Sequence, residues 1–161
     1  MKGKLQVIKP GEKAQVVKNN VTIFLAGSIE LGVAEMWQDK VIEYLKDFAV
    51  TFFNPRRDDW DSSWEQKESN PEFNYQVNWE LDHLEAADFI FLYFDPKTKS
   101  PISLLEFGKH STDTNLIVCC PDGFYRKGNV EIVCSRYNIP LYNDLESAIG
   151  CLRTKLSIIP N

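Results

Sequence analysis

Two glutamates carry the most chemistry in this chain. Glu106 lies in Ser100-Pro-Ile-Ser103-Leu-Leu-Glu106-Phe-Gly108, an apolar segment just beyond a strand-like run. A carboxylate there can attack a sugar carbon, because carboxylates form covalent glycosyl intermediates. The same residues have a structural reading. Ser103 to Glu106 is the S-x-x-E spacing of a capping box, which closes the first turn of a helix. Glu80, in Trp79-Glu80, sits beside the apolar stripe Val77–Leu81–Leu84. A carboxyl at that position finds a partner, shifts its pKa, or reaches past the stripe to solvent. Asp88 ends the same helical pattern and reads as a turn or cap residue.

Three further places offer groups to a ligand. Gly27-Ser28 presents bare amides and a hydroxyl ahead of a helix, which suits an anion or a sugar hydroxyl and equally suits a tight turn. Asn54-Pro55-Arg56-Arg57-Asp58-Asp59-Trp60 holds two arginines able to fork around a phosphate, or to stand as solvated loop charges. Trp60 and Trp64 can stack on a planar base or close the loop over the core. No Ser-His-Asp arrangement can be built. Cys119 and Cys120 lie in an apolar run rather than an electropositive turn, so neither reads as a nucleophile. The four cysteines show no C-x-x-C spacing, and His83 and His110 have no second ligand at metal spacing. No metal site is expected.

Such groups need a frame. With 161 residues, 43% of them hydrophobic and 25% charged, the chain has the size and composition of one globular domain. A net charge of −5 without a basic block argues against nucleic acid or an anionic membrane as partner. No apolar run is long enough to span a bilayer, and Met1-Lys-Gly-Lys-Leu lacks a signal peptide's apolar stretch, so the expected location is cytoplasmic. Continuous apolar runs at 21–26, 49–53, 89–94, 116–120 and 139–142 read as buried strands. Helical patterns at 35–48, 73–87, 103–110, from 130 onward, and at 145–156 alternate with them. Residues 56–71 read as a long loop. This order predicts an α/β three-layer sandwich with a five-stranded parallel sheet, formed by residues 21–161 as one domain. Residues 1–20 are expected to form an arm or a short hairpin. In such sheets ligands sit beyond the carboxyl ends of the strands, which is where Gly27, Arg56, Ser100 and Pro121–Asn129 fall.

Taken in order, Phe24-Leu-Ala-Gly-Ser-Ile29, Trp37-Gln38, Asn54-Pro-Arg-Arg57, Trp79-Glu80 and Leu104-Leu-Glu-Phe-Gly108 resemble the nucleoside 2-deoxyribosyltransferase family, in its deoxyribosyltransferase-like branch. The wider group includes 2′-deoxynucleoside 5′-phosphate N-hydrolases. The resemblance implies a flavodoxin-like or Rossmann-like sheet. It implies Glu106 as the nucleophile at the anomeric carbon and Glu80, eight positions before Asp88, as the proton handler at the base. The family's usual residue there is aspartate. Pro121-Asp122 followed by Asn129 matches a segment that reaches a neighbouring subunit's site, so the resemblance implies a homodimer or larger homo-oligomer.

Six residues before the nucleophile the transferases carry an aspartate for the sugar 5′-hydroxyl, where this chain has Ser100, as the phosphate hydrolases do. Ser100 therefore leads to the expectation that 5′-monophosphates bind at least as well as nucleosides. Substrate contacts are expected from Gly27, Ser28, Arg56, Asp58, Trp60, Ser100 and Ser103, with no cofactor. The expected partners are a deoxynucleoside or deoxynucleotide and a free base. The activities implied are base exchange through a covalent intermediate or hydrolysis of a monophosphate. A non-catalytic nucleotide-binding module on the same fold is the rival from another class.

Overall fold

The structure, a computed structural model, describes residues 4–30, 33–113 and 115–160. Its elements run β1 (Gln6–Ile8), β2 (Val21–Gly27), α1 (Trp37–Tyr44), β3 (Val50–Phe53), α2 (Pro71–Ala86), β4 (Phe89–Tyr93), α3 (Pro101–His110), β5 (Leu116–Cys119), α4 (Lys127–Tyr137), β6 (Leu141–Tyr142) and α5 (Leu145–Ser157). The strands form one sheet in the order β1-β3-β2-β4-β5-β6, and every neighbouring pair is parallel. This is the flavodoxin-like arrangement, with six strands where the apolar runs predict five.

The additional strand corrects the reading of the N-terminus as an arm or hairpin. Gln6, Val7 and Ile8 pair in parallel with Thr51, Phe52 and Phe53, and the Asn54 N–H extends the ladder to the Ile8 carbonyl at 3.0 Å. A three-residue strand with one buried side chain is too short to show a period in the sequence.

Alternation along the strands sorts the core into two layers. Phe24, Ala26, Ile90, Leu92, Leu116 and Val118 face α2, α3 and α4, where they meet Trp79, Leu84, Phe107, Val130 and Cys134. Ile23, Leu25, Phe52, Phe91 and Ile117 face α1 and α5, against Trp37, Val41, Leu45, Ala148 and Leu152. The chain steps outward from β2 to β3 on one side and returns to β4 on the other. The loops leaving β2 and β4 therefore part in opposite directions and open a crevice at their carboxyl ends.

Local signals explain most helix boundaries. The Asn70 carboxamide accepts from the Phe73 N–H at 3.0 Å, with Pro71 opening α2. Asp144 caps α5 through the Ser147 N–H at 2.7 Å. α3 departs from expectation. It starts at Pro101 with Ser100 as the residue before it, so Ser103 is inside the first turn and forms no capping box with Glu106. α1 is shorter than its apolar pattern at both ends; it begins at Trp37, with the Glu35 N–H bonded to the Asp95 carboxylate at 3.1 Å, and ends at Tyr44. The four cysteines are free, and burial pushes the thiols of Cys119, Cys120 and Cys134 up to about 12.

Candidate active site

The floor of the crevice is the β2–β4 pair, and Gly27 makes its depth possible. Gly27 has φ +137°, and a Cβ on it would lie 2.2 Å from the Tyr93 carbonyl oxygen. Only a residue without a side chain lets the two strand ends stay paired there. Directly after it, the Ser28 N–H donates to that carbonyl at 2.9 Å. The Ser28 hydroxyl accepts from the Asp95 N–H at 2.8 Å and lies 2.6 Å from the Ser100 hydroxyl and 2.9 Å from that of Thr98. Thr98 and Ser100 are 2.7 Å apart, and Thr98 also donates to the Asp95 carbonyl. Three buried hydroxyls thus close a small network that locks the β2–α1 loop to the β4–α3 loop. Both predicted substrate groups, Ser28 and Ser100, belong to that lock.

Two half-buried carboxyls come from the helices packed on one side of this sheet, and the charge of one is felt by the other. Glu106 is the sixth residue of α3, three after the buried Ser103 and beside the buried Phe107. Among the described residues nothing hydrogen-bonds its side chain. Burial, with the charge of Glu80 added, pushes its pKa up to about 8. Glu80 comes from α2, on the same side of the sheet, and burial pushes it up to about 7. The Gln76 carboxamide, one turn earlier, donates to the Glu80 Oε1 at 2.7 Å and opposes that rise by stabilising the charged form. Gln76 is itself fixed. Its amide also reaches the Pro55 carbonyl at 3.3 Å, and its oxygen accepts from Arg57 at 3.4 Å. Burial disfavours charge on either carboxyl, and a charge on Glu80 further disfavours one on Glu106. An acid and a nucleophile drawn from one such pair are what cleavage of a glycosidic bond requires.

The structure gives the remaining predicted residues other surroundings. Arg56, only 7% exposed, donates to the Ala34 carbonyl at 3.0 Å, the Glu35 carbonyl at 2.8 Å and the Gln38 carboxamide at 3.2 Å. It braces the segment leading into α1 from below and turns its fork to backbone rather than to the crevice. Arg57 forks onto Asp59 at 2.9 and 2.8 Å and lies over the Trp64 ring. Trp60 meets Trp64 edge to face at 5.0 Å, so the two tryptophans form one unit of the β3–α2 loop. Asp58 is exposed, with Lys9 at 3.9 Å. Asn129 is exposed in the first turn of α4 and hydrogen-bonds neither glutamate within the chain.

Three contributors escape the sequence reading. Gln76 stands four residues before Glu80, a spacing that could have flagged it. Thr98 and Glu30 act through partners about seventy residues away and leave no local signal.

Among the described residues no group of three or more His, Cys, Asp or Glu could hold a metal ion, and no helix is long and apolar enough to cross a membrane. The family model described as nucleoside 2-deoxyribosyltransferase like matches residues 20–124, more than half of the chain, and spans the loops and both glutamates of the crevice. No curated protein matches the sequence.

Proposed function

From the premise that the chain belongs to the nucleoside 2-deoxyribosyltransferase-like family, we propose that it cleaves the N-glycosidic bond of 2′-deoxyribonucleosides with Glu106 as nucleophile and Glu80 as acid. One observation carries this reading. Two half-buried carboxyls, from α2 and α3 on one side of the sheet, are electrostatically coupled, and burial raises the pKa of both. A binding module needs neither group, and burying both would cost it stability for nothing.

In the first step an oxygen of ionised Glu106 bonds to C1′. The bond from C1′ to the base nitrogen breaks, its electron pair leaves with the base, and Glu80 supplies the proton the base takes up. In the second step a free base or water attacks C1′. The ester bond to Glu106 breaks, and Glu80 recovers a proton from the attacking group. Base exchange results in the first case and hydrolysis in the second.

The step needs charge on Glu106 and a proton on Glu80. Within one chain the Gln76 amide favours the opposite placement. A hydrogen-bond donor brought to Glu106 reverses it, and Asn129 of a second copy is suited to the task. Ile102 and Leu105 on α3 and Ile132 on α4 are apolar and between 59% and 69% exposed, which supports a homodimer built through these helices. The alternative, cleavage of a 5′-monophosphate, draws on Ser100 and the Arg56–Arg57 pair; within the chain Ser100 bonds Ser28 and Thr98, Arg56 bonds two backbone carbonyls, and Arg57 forks onto Asp59.

The test is turnover of a 2′-deoxynucleoside with and without an added free base. New nucleoside identifies a transferase, and sugar release alone identifies a hydrolase. Glu106→Gln should lower either rate by at least ~10³. Turnover near the wild-type rate in that variant, or binding without turnover in the wild type, refutes the proposal.

A further inference from the structure

A carboxamide stands behind Glu80 and can point only one way. Gln76, 3% exposed, lies one turn earlier on α2. Its oxygen accepts from Nη1 of Arg57 at 3.4 Å. Its Nε2 donates to the Pro55 carbonyl at 3.3 Å and to Oε1 of Glu80 at 2.7 Å. A guanidinium has only donors and a carbonyl only acceptor sites, so turning the amide over would set donor against donor and acceptor against acceptor. Arg57 is held in turn. Its fork closes on both oxygens of Asp59 at 2.9 and 2.8 Å, and it lies 5.4 Å from the centre of the Trp64 ring. The orientation of Gln76 is thus set from the β3–α2 loop, whatever the state of Glu80.

A donor fixed in this way distinguishes the two oxygens of Glu80. Oε1 faces an N–H and accepts in both states of the carboxyl, so a proton carried by Glu80 is on Oε2. When that proton leaves for the base nitrogen, the electron pair of its O–H bond stays on Glu80, and a carboxylate appears in half-buried surroundings. The charged and titratable groups around it offer no other donor among the described residues. Glu106 of α3 adds charge of the same sign, Arg57 stops at Gln76, and His83, three residues on in α2, turns Nδ1 to the Trp79 carbonyl at 2.7 Å. The Gln76 N–H is the donor that meets the new charge. A hydrogen bond to an ionised acceptor is about twice as strong as a neutral one, and this bond is in place before the charge appears. The contact that opposes a resting proton on Glu80 therefore favours the transfer of that proton.

Building on the glycosyl-cleavage reading above, we propose that Gln76, oriented by Arg57, is a positioning residue for the acid: it keeps the transferable proton on Oε2 of Glu80 and stabilises the carboxylate left when the base departs.

The experiment compares an ordinary 2′-deoxynucleoside with a 4-nitrophenyl 2-deoxyriboside, whose phenolate leaves without a proton, in wild type, Gln76→Met and Arg57→Met. Gln76→Met keeps the length of the side chain and removes its amide. It should lower kcat/KM on the nucleoside by about tenfold to a hundredfold, the worth of one hydrogen bond to a charged group, and leave the nitrophenyl substrate within about threefold of wild type. Arg57→Met frees the carboxamide to turn over and should lower the nucleoside alone, by a smaller factor. It leaves the buried side chain in place and gives the same readouts should Gln76→Met not fold. Equal falls on both substrates would make Gln76 a brace between α2 and the end of β3 and overturn the proposal.

Carboxyl titration followed by carbon-13 NMR reads the same contact without turnover. With Glu106→Gln as the background, so that Glu80 titrates without its coupled neighbour, adding Gln76→Met should move the Glu80 midpoint up by about one pH unit. A midpoint that stays where it was overturns the proposal. The expected rise, with a wild type inactive on every substrate, would discard the glycosyl reading and keep the hold of Gln76 on Glu80.

Discussion

Replacing Glu106 should make the protein more stable in alkali. Glu106→Gln keeps the shape of the side chain and removes its ionisation. In the wild type, burial and the neighbouring Glu80 push the Glu106 carboxyl from 4.5 up to about 8. A carboxyl that holds its proton better folded than unfolded makes the folded state bind more protons between those two values. Stability therefore falls as pH rises from about 4.5 through about 8. The displacement corresponds to about 5 kcal/mol for a charge held rigidly in place. Water reaches this half-buried side chain, and Glu80 can take up the proton instead, so about 2 kcal/mol is the penalty expected in practice.

For a domain of this size that is roughly 4–8 °C in Tm. Thermal melts from pH 5 to 9 should show wild type and variant nearly together at pH 5. The variant should lead by that margin at pH 8.5. Glu85, an exposed carboxylate paired with Lys109 at 2.9 Å, gives the control, and Glu85→Gln should show no widening lead. Parallel curves for wild type and Glu106→Gln would refute the reasoning, because Glu106 would then be solvated or already held by a donor.

Arg56→Ala should lower stability by about 3 kcal/mol, since it strips partners from two carbonyls and a carboxamide. A wild-type Tm with weakened substrate binding would return Arg56 to the role of a ligand clamp. Gly27→Ala should cost about 4 kcal/mol or more, because its new methyl lands on the Tyr93 carbonyl. A soluble variant melting within about 3 °C of wild type would contradict the close approach of β2 and β4. Glu80→Gln should slow ordinary nucleosides by about 10²–10⁴ and spare deoxyribosides whose leaving group departs unprotonated. Equal losses on both kinds of substrate would leave Glu80 a structural residue.

The parts of this molecule that residues reveal are those whose partners are water or an apolar layer. Phe89-Ile-Phe-Leu-Tyr93 is apolar throughout because both faces are covered, and that can be read without knowing what covers them. Glu80 and Glu106 stand out for the same reason, as charges set in apolar company. That they come from one side of the sheet follows from how α2 and α3 pack, which spacing along the chain does not contain. Arg56 misleads because its acceptors are backbone carbonyls some twenty residues away, and a carbonyl has no residue type to read. Ser103 misleads because Pro101 starts α3 early and converts a capping pattern into an interior turn. Glu30 is silent, since an acidic loop residue looks the same whether it meets solvent or the start of a helix seventy residues on.

The short first strand changes what the rest of the sheet is exposed to. Val50 to Phe53 are buried and apolar but for Thr51, and without β1 their outer row of backbone donors and acceptors would border the molecule. Such a row is a template for strands of other chains. Gln6, Val7 and Ile8 occupy it and leave a partner of three residues at the rim instead. The Asn20 carboxamide holds the returning chain to the Lys4 carbonyl at 2.8 Å and the Thr51 hydroxyl at 3.0 Å. Residues 4–8 thus act as a guard against self-association through the edge of β3. Trimming them would turn a closed margin into an adhesive one and free the end of β3, where Asn54 bonds the Ile8 carbonyl.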